Sequence, residues 1–284
     1  SPRFTAMPRL HLIELEDQEW LPAEVRAYST DCLRAVFSQL FPRSGVSARL
    51  RELLESTDER RILDLCSGSS GPLAPMLEEL ARSGLEVDAL LTDLHPHPEL
   101  GAGLGPRFTY RTEPLDARRV PPELEGVRTL FAGFHHFRPD DAVSILADAV
   151  QLGRPIAVFE PAARRPHEFL AVPMIGLFSL LAAPWLRPFR WRRLFWTWGV
   201  PLVPAVVIWD GWVSCCRFYT TDELRRLGAA AIERCGAAGR YRFDVGRDRV
   251  PGFPAAVTWL TGRPLDGPPA DRSAGGAASP GCAR

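Results

Sequence analysis

The chain has 284 residues, with 34 basic and 34 acidic side chains and a formal net charge of zero, so no global basic field points to nucleic acid as the main partner. Every basic residue is arginine. The six cysteines (Cys32, Cys66, Cys215, Cys216, Cys235 and Cys282) form no CxxC pair and lie at no zinc-finger spacing from histidine, so no metal is expected and a reduced, cytoplasmic protein is the simplest reading.

Residues 1–7 hold no basic stretch followed by an apolar run, so no secretory signal is expected, and Met7-Pro8-Arg9-Leu10 reads as a natural start. Residues 7–58 read as a helical cap. Leu33, Val36, Phe37 and Leu40 repeat at helical spacing, which predicts one helix from the low 20s to about 41, with a second over about 47–54. From 59 to 263 strands alternate with helices. Strands are predicted near 61–65, 87–92, 107–110, 127–132 and 155–159, and helices near 72–83, 97–103 and 139–151. This alternation specifies an α/β fold with a mostly parallel, Rossmann-like sheet and helices on both faces. Thr220 followed by Glu223 is a capping box and predicts a helix to about 235. Two strands follow over 241–245 and 255–260. Residues 264–284, rich in Gly, Pro, Ala and Ser, are expected to be disordered.

The insertion at 164–219 breaks the alternation and is expected to be apolar and helical. Phe169 to Leu186 and Leu194 to Trp209 are uncharged runs of 18 and 16 residues. Between them lie Arg187, Arg190, Arg192 and Arg193, and six of the eight tryptophans fall between 185 and 212. Three readings stay open: a lid on an acceptor pocket, a peripheral contact of 169–212 with the inner membrane face, or a spanning hairpin. The last is disfavoured because a span needs about 20 apolar residues and Pro173, Pro184, Pro201 and Pro204 interrupt these runs. Asp210, alone in an apolar region, is expected to be paired, with Arg217 a candidate partner.

The chemistry sits at the strand tips. The run Ile62-Leu63-Asp64-Leu65-Cys66-Ser67-Gly68-Ser69-Ser70-Gly71 reads as a buried strand feeding a tight turn and a helix. Its small residues let the backbone approach a ligand. Asp64 falls at the carboxyl end of that strand, although an acidic residue there can also merely cap the next helix. Ala89-Leu90-Leu91-Thr92 ends in Asp93, the usual place for a carboxylate that binds ribose hydroxyls. Two such tips in order imply a nucleoside cofactor. No full GxGxxG is present, which counts against a nicotinamide enzyme.

With these motifs in order, residues 61–262 resemble a class I S-adenosylmethionine (SAM) dependent methyltransferase. Leu63-Asp64-Leu65-Cys66-Ser67-Gly68 is similar to that family's first motif, which usually carries Gly where Cys66 stands. Thr92-Asp93-Leu94 is similar to the second. Pro114-Leu115-Asp116-Ala117 follows the third strand, where the family places an acidic residue near the adenine, and Phe134-His135-His136-Phe137 follows the fourth. Tyr219 to Leu224 and the hairpin at 241–260 resemble the family's closing elements, with the last strand antiparallel. The resemblance implies SAM as cofactor, held by Asp64, Cys66, Ser67, Gly68, Ser69 and Gly71, by Asp93 and Leu94, by Asp116 and Ala117, and by Phe134. Met7 to Glu14 and Asp210 to Cys215 look like a bacterial subgroup whose acceptor the resemblance does not supply. The interval from Asp64 to Asp93 is longer than the family's usual one and implies a longer first helix or loop.

His135 and His136 fall where acceptor and methyl donor should meet, and either could take a proton from the acceptor or simply pack. Glu160, ending the fifth strand, could orient substrate or cap the loop that Pro161 begins. The apolar insertion argues for a small, mainly apolar acceptor. The alternatives are a cyclase or rearrangement enzyme on the same fold, and a non-catalytic membrane-associated binding protein.

Overall fold

The computed structural model describes residues 8–68, 71–96, 105–187, 189–254 and 256–265. Helices α1 (Ala23–Arg43) and α2 (Val46–Ser56) come first. Then follow β1 (Arg61–Asp64), α3 (Leu73–Arg82), β2 (Asp88–Leu91), β3 (Phe108–Tyr110), β4 (Val127–Phe131), α4 (Pro139–Gln151) and β5 (Ile156–Glu160). The expected helix at 97–103 and the expected disordered tail beyond Leu265 lie outside the described residues. The long interval between Asp64 and Asp93 is taken up by connections, since α3 has only 10 residues.

The insertion is helical. It comprises a 3-10 turn (Pro166–Leu170), α5 (Ala171–Ala182), α6 (Trp191–Leu194), a π-helical turn (Phe195–Gly199) and α7 (Leu202–Arg217). The prolines explain these bounds. Pro173 and Pro204 sit in the first turns of α5 and α7, where no helical N–H is lost, while Pro184 and Pro201 lie just outside helices. Where α5 crosses α7 the backbones meet closely. A Cβ on Gly176 would lie 2.4 Å from Ile208 Cγ1, and one on Gly211 would lie 2.9 Å from Val172 Cγ1. No single helix among the described residues is long and apolar enough to cross a membrane. The segment Trp191–Gly199 with Leu202–Arg217 matches in length and composition only as a pair, and it is bent by 71°.

Helix α8 (Thr221–Arg234) begins with the expected capping box and leads to β6 (Tyr241–Arg249) and β7 (Ala256–Pro264). Both strands outrun the sequence reading. Arg247, Asp248 and Arg249 break the apolar pattern, but β6 is the sheet's edge strand, where charged side chains are tolerated.

The described strands form one sheet in the order β3-β2-β1-β4-β5-β7-β6. Pairing is parallel from β3 to β5, with Ile62 opposite Ala89 on one side and Val127 on the other. β7 is antiparallel to both neighbours, with Leu260 opposite Val158 and Val245. This is the arrangement that the resemblance implied. Successive strand residues face opposite sides. Leu63, Leu130 and Val158 join Ile145 and Leu146 of α4 and Leu224 of α8 in one core. Ile62, Val127 and Phe159 join Phe41 of α1, Leu50 and Leu54 of α2 and Met76 of α3 in the other. The N-terminal helices therefore share the sheet's core. The chain leaves β1 toward β2 and leaves β4 toward β5, so a crevice opens between the carboxyl ends of β1 and β4.

Candidate functional site

The loop after β1 turns sharply because three of its residues are left-handed. Cys66 has φ +58°, Gly68 +49° and Gly71 +48°. Cys66 thus holds a conformation suited to glycine, at a cost of about 1 kcal/mol. Across the crevice Ala132, at the end of β4, has φ +50°. The two strained residues flank the same opening: a Cβ on Gly133 would lie 3.6 Å from Cβ of Cys66. A Cβ on Gly68 or Gly71 would meet nothing within 4 Å, so open space lies above the loop.

Asp93 closes the loop from the tip of β2. Its carboxylate accepts the Gly68 N–H at 3.0 Å and the His95 N–H at 2.9 Å. Ser67 is tied to the adjacent strands, its N–H donating to Thr92 O at 3.0 Å and its hydroxyl to Asp64 O at 2.9 Å. Asp64 is buried and accepts the Thr129 hydroxyl at 2.6 Å. Burial pushes its carboxyl up to about 7, against the hydrogen bonds from Thr129 and Ser67. Asp64 therefore braces β1 against β4, and its backbone oxygen also takes Thr92 Oγ1 at 2.8 Å. Leu94 is exposed beside Asp93. Ser69 lies outside the described residues.

Three expected contacts are placed differently from a simple ligand surface. Phe134 and Ala117 are buried in the main core, where Phe134 packs on Tyr219, so neither side chain has surface to offer a ligand. Asp116 is held by the Arg118 guanidinium at 2.7 Å, which keeps its carboxyl below the usual range, and Arg118 also reaches Asp141 at 2.9 Å.

The second half of the site is built on the turn Phe134–His136. Glu160 at the end of β5 accepts the His135 N–H at 2.9 Å, and its other oxygen lies 2.9 Å from His135 Nδ1. Both groups are buried, and desolvation drives both toward their neutral forms, Glu160 up to about 8 and His135 down to about 3. His135 Nε2 is buried and has no hydrogen-bond partner among the described residues. His136 keeps 44% of its side chain open, and its Nδ1 lies 3.3 Å from Glu14 and 3.2 Å from Arg217.

These groups face a cavity of about 140 Å³. His135, His136, Glu14 and Glu16 form its polar end, and Phe37, Val172, Ile175 and Phe218 its apolar wall. Burial raises Glu14 to about 7 and Glu16 to about 8, the latter also because Asp210 and Glu14 are near. Glu16 Oε1 is a second buried acceptor without a partner among the described residues.

The N-terminal arm, to which the sequence reading gave no chemistry, laces this site together. Arg9 donates to Arg217 O at 2.7 Å, His135 O at 2.7 Å and Phe137 O at 2.9 Å, and its guanidinium lies 4.3 Å from the Tyr219 ring centroid. Asp210 accepts the Leu15 and Glu16 N–H groups at 2.6 and 2.9 Å. Arg217, the expected partner of Asp210, instead pairs with Glu14 at 2.9 Å. Charged residues in an irregular arm give no periodic signal. The pointers to them were the acidic Asp210 in an apolar run and the resemblance that joined Met7–Glu14 to Asp210–Cys215, which carried no chemistry.

Glu14, His135 and His136 offer ligand atoms within 4.8 Å of one another, the residue types of a metal set. The geometry suits a cation poorly. The two imidazoles stack with centroids 4.3 Å apart and planes tilted by 34°, so their in-plane lone pairs run side by side rather than converge. Arg217 already bridges Glu14 and His136. The cluster is a hydrogen-bond network.

No protein-family model and no curated protein matches the chain. Among solved structures the chain is similar to the plantazolicin methyltransferase BamL, crystallised with a triazolic desmethylPZN analogue and SAH (10% identity, TM-score 0.48, covering 84% of this chain and 98% of that one). It is similar to human N-acetylserotonin methyltransferase in complex with SAM (12%, 0.48, 87% and 59%). It is also similar to NcsB1, an O-methyltransferase from neocarzinostatin biosynthesis (16%, 0.47, 86% and 59%). The chain thus spans about three fifths of the last two. At these values the reaction has to be read from the chain's own residues.

Proposed function

We propose that this chain transfers a methyl group from SAM to a small acceptor with a mainly apolar body, held in the cavity beside His135. The observation that carries the reading is the Gly68 N–H bound to Asp93 at the switch point, on a loop that faces Ala132, which lines the cavity together with His135. The residues fit the cofactor: the left-handed glycines leave open space, and the carboxylate stands where ribose hydroxyls would bind. When bound, SAM would supply an electrophilic methyl carbon and a sulfur leaving group that keeps the electron pair of the broken carbon–sulfur bond. The chain's own residues align and dry the methyl's encounter with the acceptor. Above about pH 8, where Glu160 is ionised, its carboxylate holds Nδ1–H of His135, and the unpartnered Nε2 carries the lone pair that can take the acceptor's proton. Phe37, Val172 and Phe218 keep water from the cavity.

Calorimetric titration of SAM and of NAD into wild type and an Asp93→Ala variant tests this reading. SAM should bind and NAD should not. Asp93→Ala should weaken SAM by about 10- to 100-fold, the worth of a hydrogen bond to a charged group. Absence of SAM binding by a protein shown to be folded would remove the reading. NAD binding in its place would favour an oxidoreductase.

A further inference from the structure

The outer face of the helical insertion is apolar. Leu177, Leu181, Trp185, Phe189, Trp191 and Phe195 are all exposed, with Trp185 75% and Trp191 70% open. Monomeric soluble proteins rarely expose contiguous apolar patches of more than a few hundred Å². Three tryptophans on or beside this face have their indole N–H turned inward. The indole N–H of Trp198 is spent on Leu180 O at 2.9 Å, that of Trp209 on Ile13 O at 3.0 Å and that of Trp212 on Phe169 O at 3.3 Å.

The insertion's own charge has one sign. From 169 to 209 there is no acidic residue. Arg192 is paired with Glu24 at 2.9 Å, while Arg187 and Arg190 are exposed and make no ion pair among the described residues. A symmetric contact between two copies would bring these arginines toward each other. An anionic headgroup layer would instead neutralise them while the aromatic rings enter the interface. No single helix among the described residues is long and apolar enough to cross a bilayer, and the one pair that matches in length and composition is bent by 71°, which favours a seat at the interface.

The same face has a mouth. A recess of about 380 Å³ beside Met174 and Phe178 shares Leu40, Ile175 and Phe253 with the lining of the acceptor cavity. We infer that the outer face of residues 171–200 docks on an anionic lipid bilayer as a monotopic surface, with this recess opening toward the bilayer. The role of the recess rests on the proposed function, but the docking does not.

Flotation of the full chain on sucrose with vesicles of phosphatidylglycerol and phosphatidylcholine, and with phosphatidylcholine alone, tests the inference beside a SAM titration of each sample. The chain should rise with the anionic vesicles at low salt and less at high salt. An Arg187→Gln, Arg190→Gln variant should partition about 25-fold less, at about fivefold per arginine near an anionic surface. A Trp185→Ser, Trp191→Ser variant should stay below with SAM binding unchanged. SAM binding with no flotation on either vesicle type would overturn the docking alone. So would a self-associated wild type that becomes monomeric in the tryptophan variant without ever floating, which would assign the face to a second copy. Flotation without SAM binding would sustain the docking and overturn the methyltransferase reading.

Discussion

Asp64 is the residue on which the crevice is braced, and its burial sets a pH dependence. Its carboxyl is raised from the ordinary 3.8 to about 7, chiefly by desolvation. A raised carboxyl favours the protonated folded state, so its contribution to stability is full below about pH 4 and is lost as pH climbs to about 7. An Asp64→Asn variant keeps the shape and the Thr129 contact without the charge. Relative to wild type it should gain on the order of 1 kcal/mol per pH unit over that window. Urea unfolding at pH 5 and pH 8, without cofactor, reads this directly. An equal difference at both values would mean that Asp64 stays ionised. Asp64 and Asp93 were legible in the sequence because each ends a short apolar strand. Arg9, Glu14 and Glu16 were not, because they reach the site from an arm whose position is set by backbone bonds to Asp210 and Cys216 far along the chain.

At the scale of elements, the parallel strands and the main helices were both legible, and helix caps were the clearest local chemistry. Thr220 and Glu223 were read as a cap, and both reciprocal bonds are present, Glu223 N to Thr220 Oγ1 at 3.2 Å and Thr220 N to Glu223 Oε2 at 2.8 Å. Glu223 also binds the buried Arg164 at 2.8 Å, which ties α8 to the start of the insertion. Thr220→Ala should therefore cost about 1 kcal/mol, as for other lost caps, and Glu223→Ala clearly more. The two should be compared by denaturant unfolding. Equal losses would mean that the Arg164 pair adds nothing beyond the cap. The hairpin was under-read because the charge of an edge strand hides its length. The insertion was legible as apolar and as broken by prolines. Its fold into crossed helices depends on Gly176 and Gly211, whose purpose only the partner helix reveals.

For the whole molecule, the sheet order places the loop of β1 and the turn after β4 on either side of one crevice, with a core on each face to hold them. A ligand bound there touches elements from both halves of the sheet and should stabilise the entire unit. SAM at 100 times its dissociation constant should add about 2.7 kcal/mol and raise the melting midpoint by about 5 to 10 °C for a domain of this size. NAD at the same concentration should leave it unchanged. A differential scanning measurement decides this, and no shift with SAM would mean that the crevice does not close on it.

The position of β7 has a consequence for how the chain is made. It lies between β5 and β6, bonded to both, although it is the last of these strands to be synthesised. While a ribosome is still translating residues before 256, β5 is already buried-type sequence with one row of amide and carbonyl groups unsatisfied, and β6 has no partner at all. The sheet cannot be completed until residues 256–264 emerge, so the nascent chain carries an open, sticky edge until then.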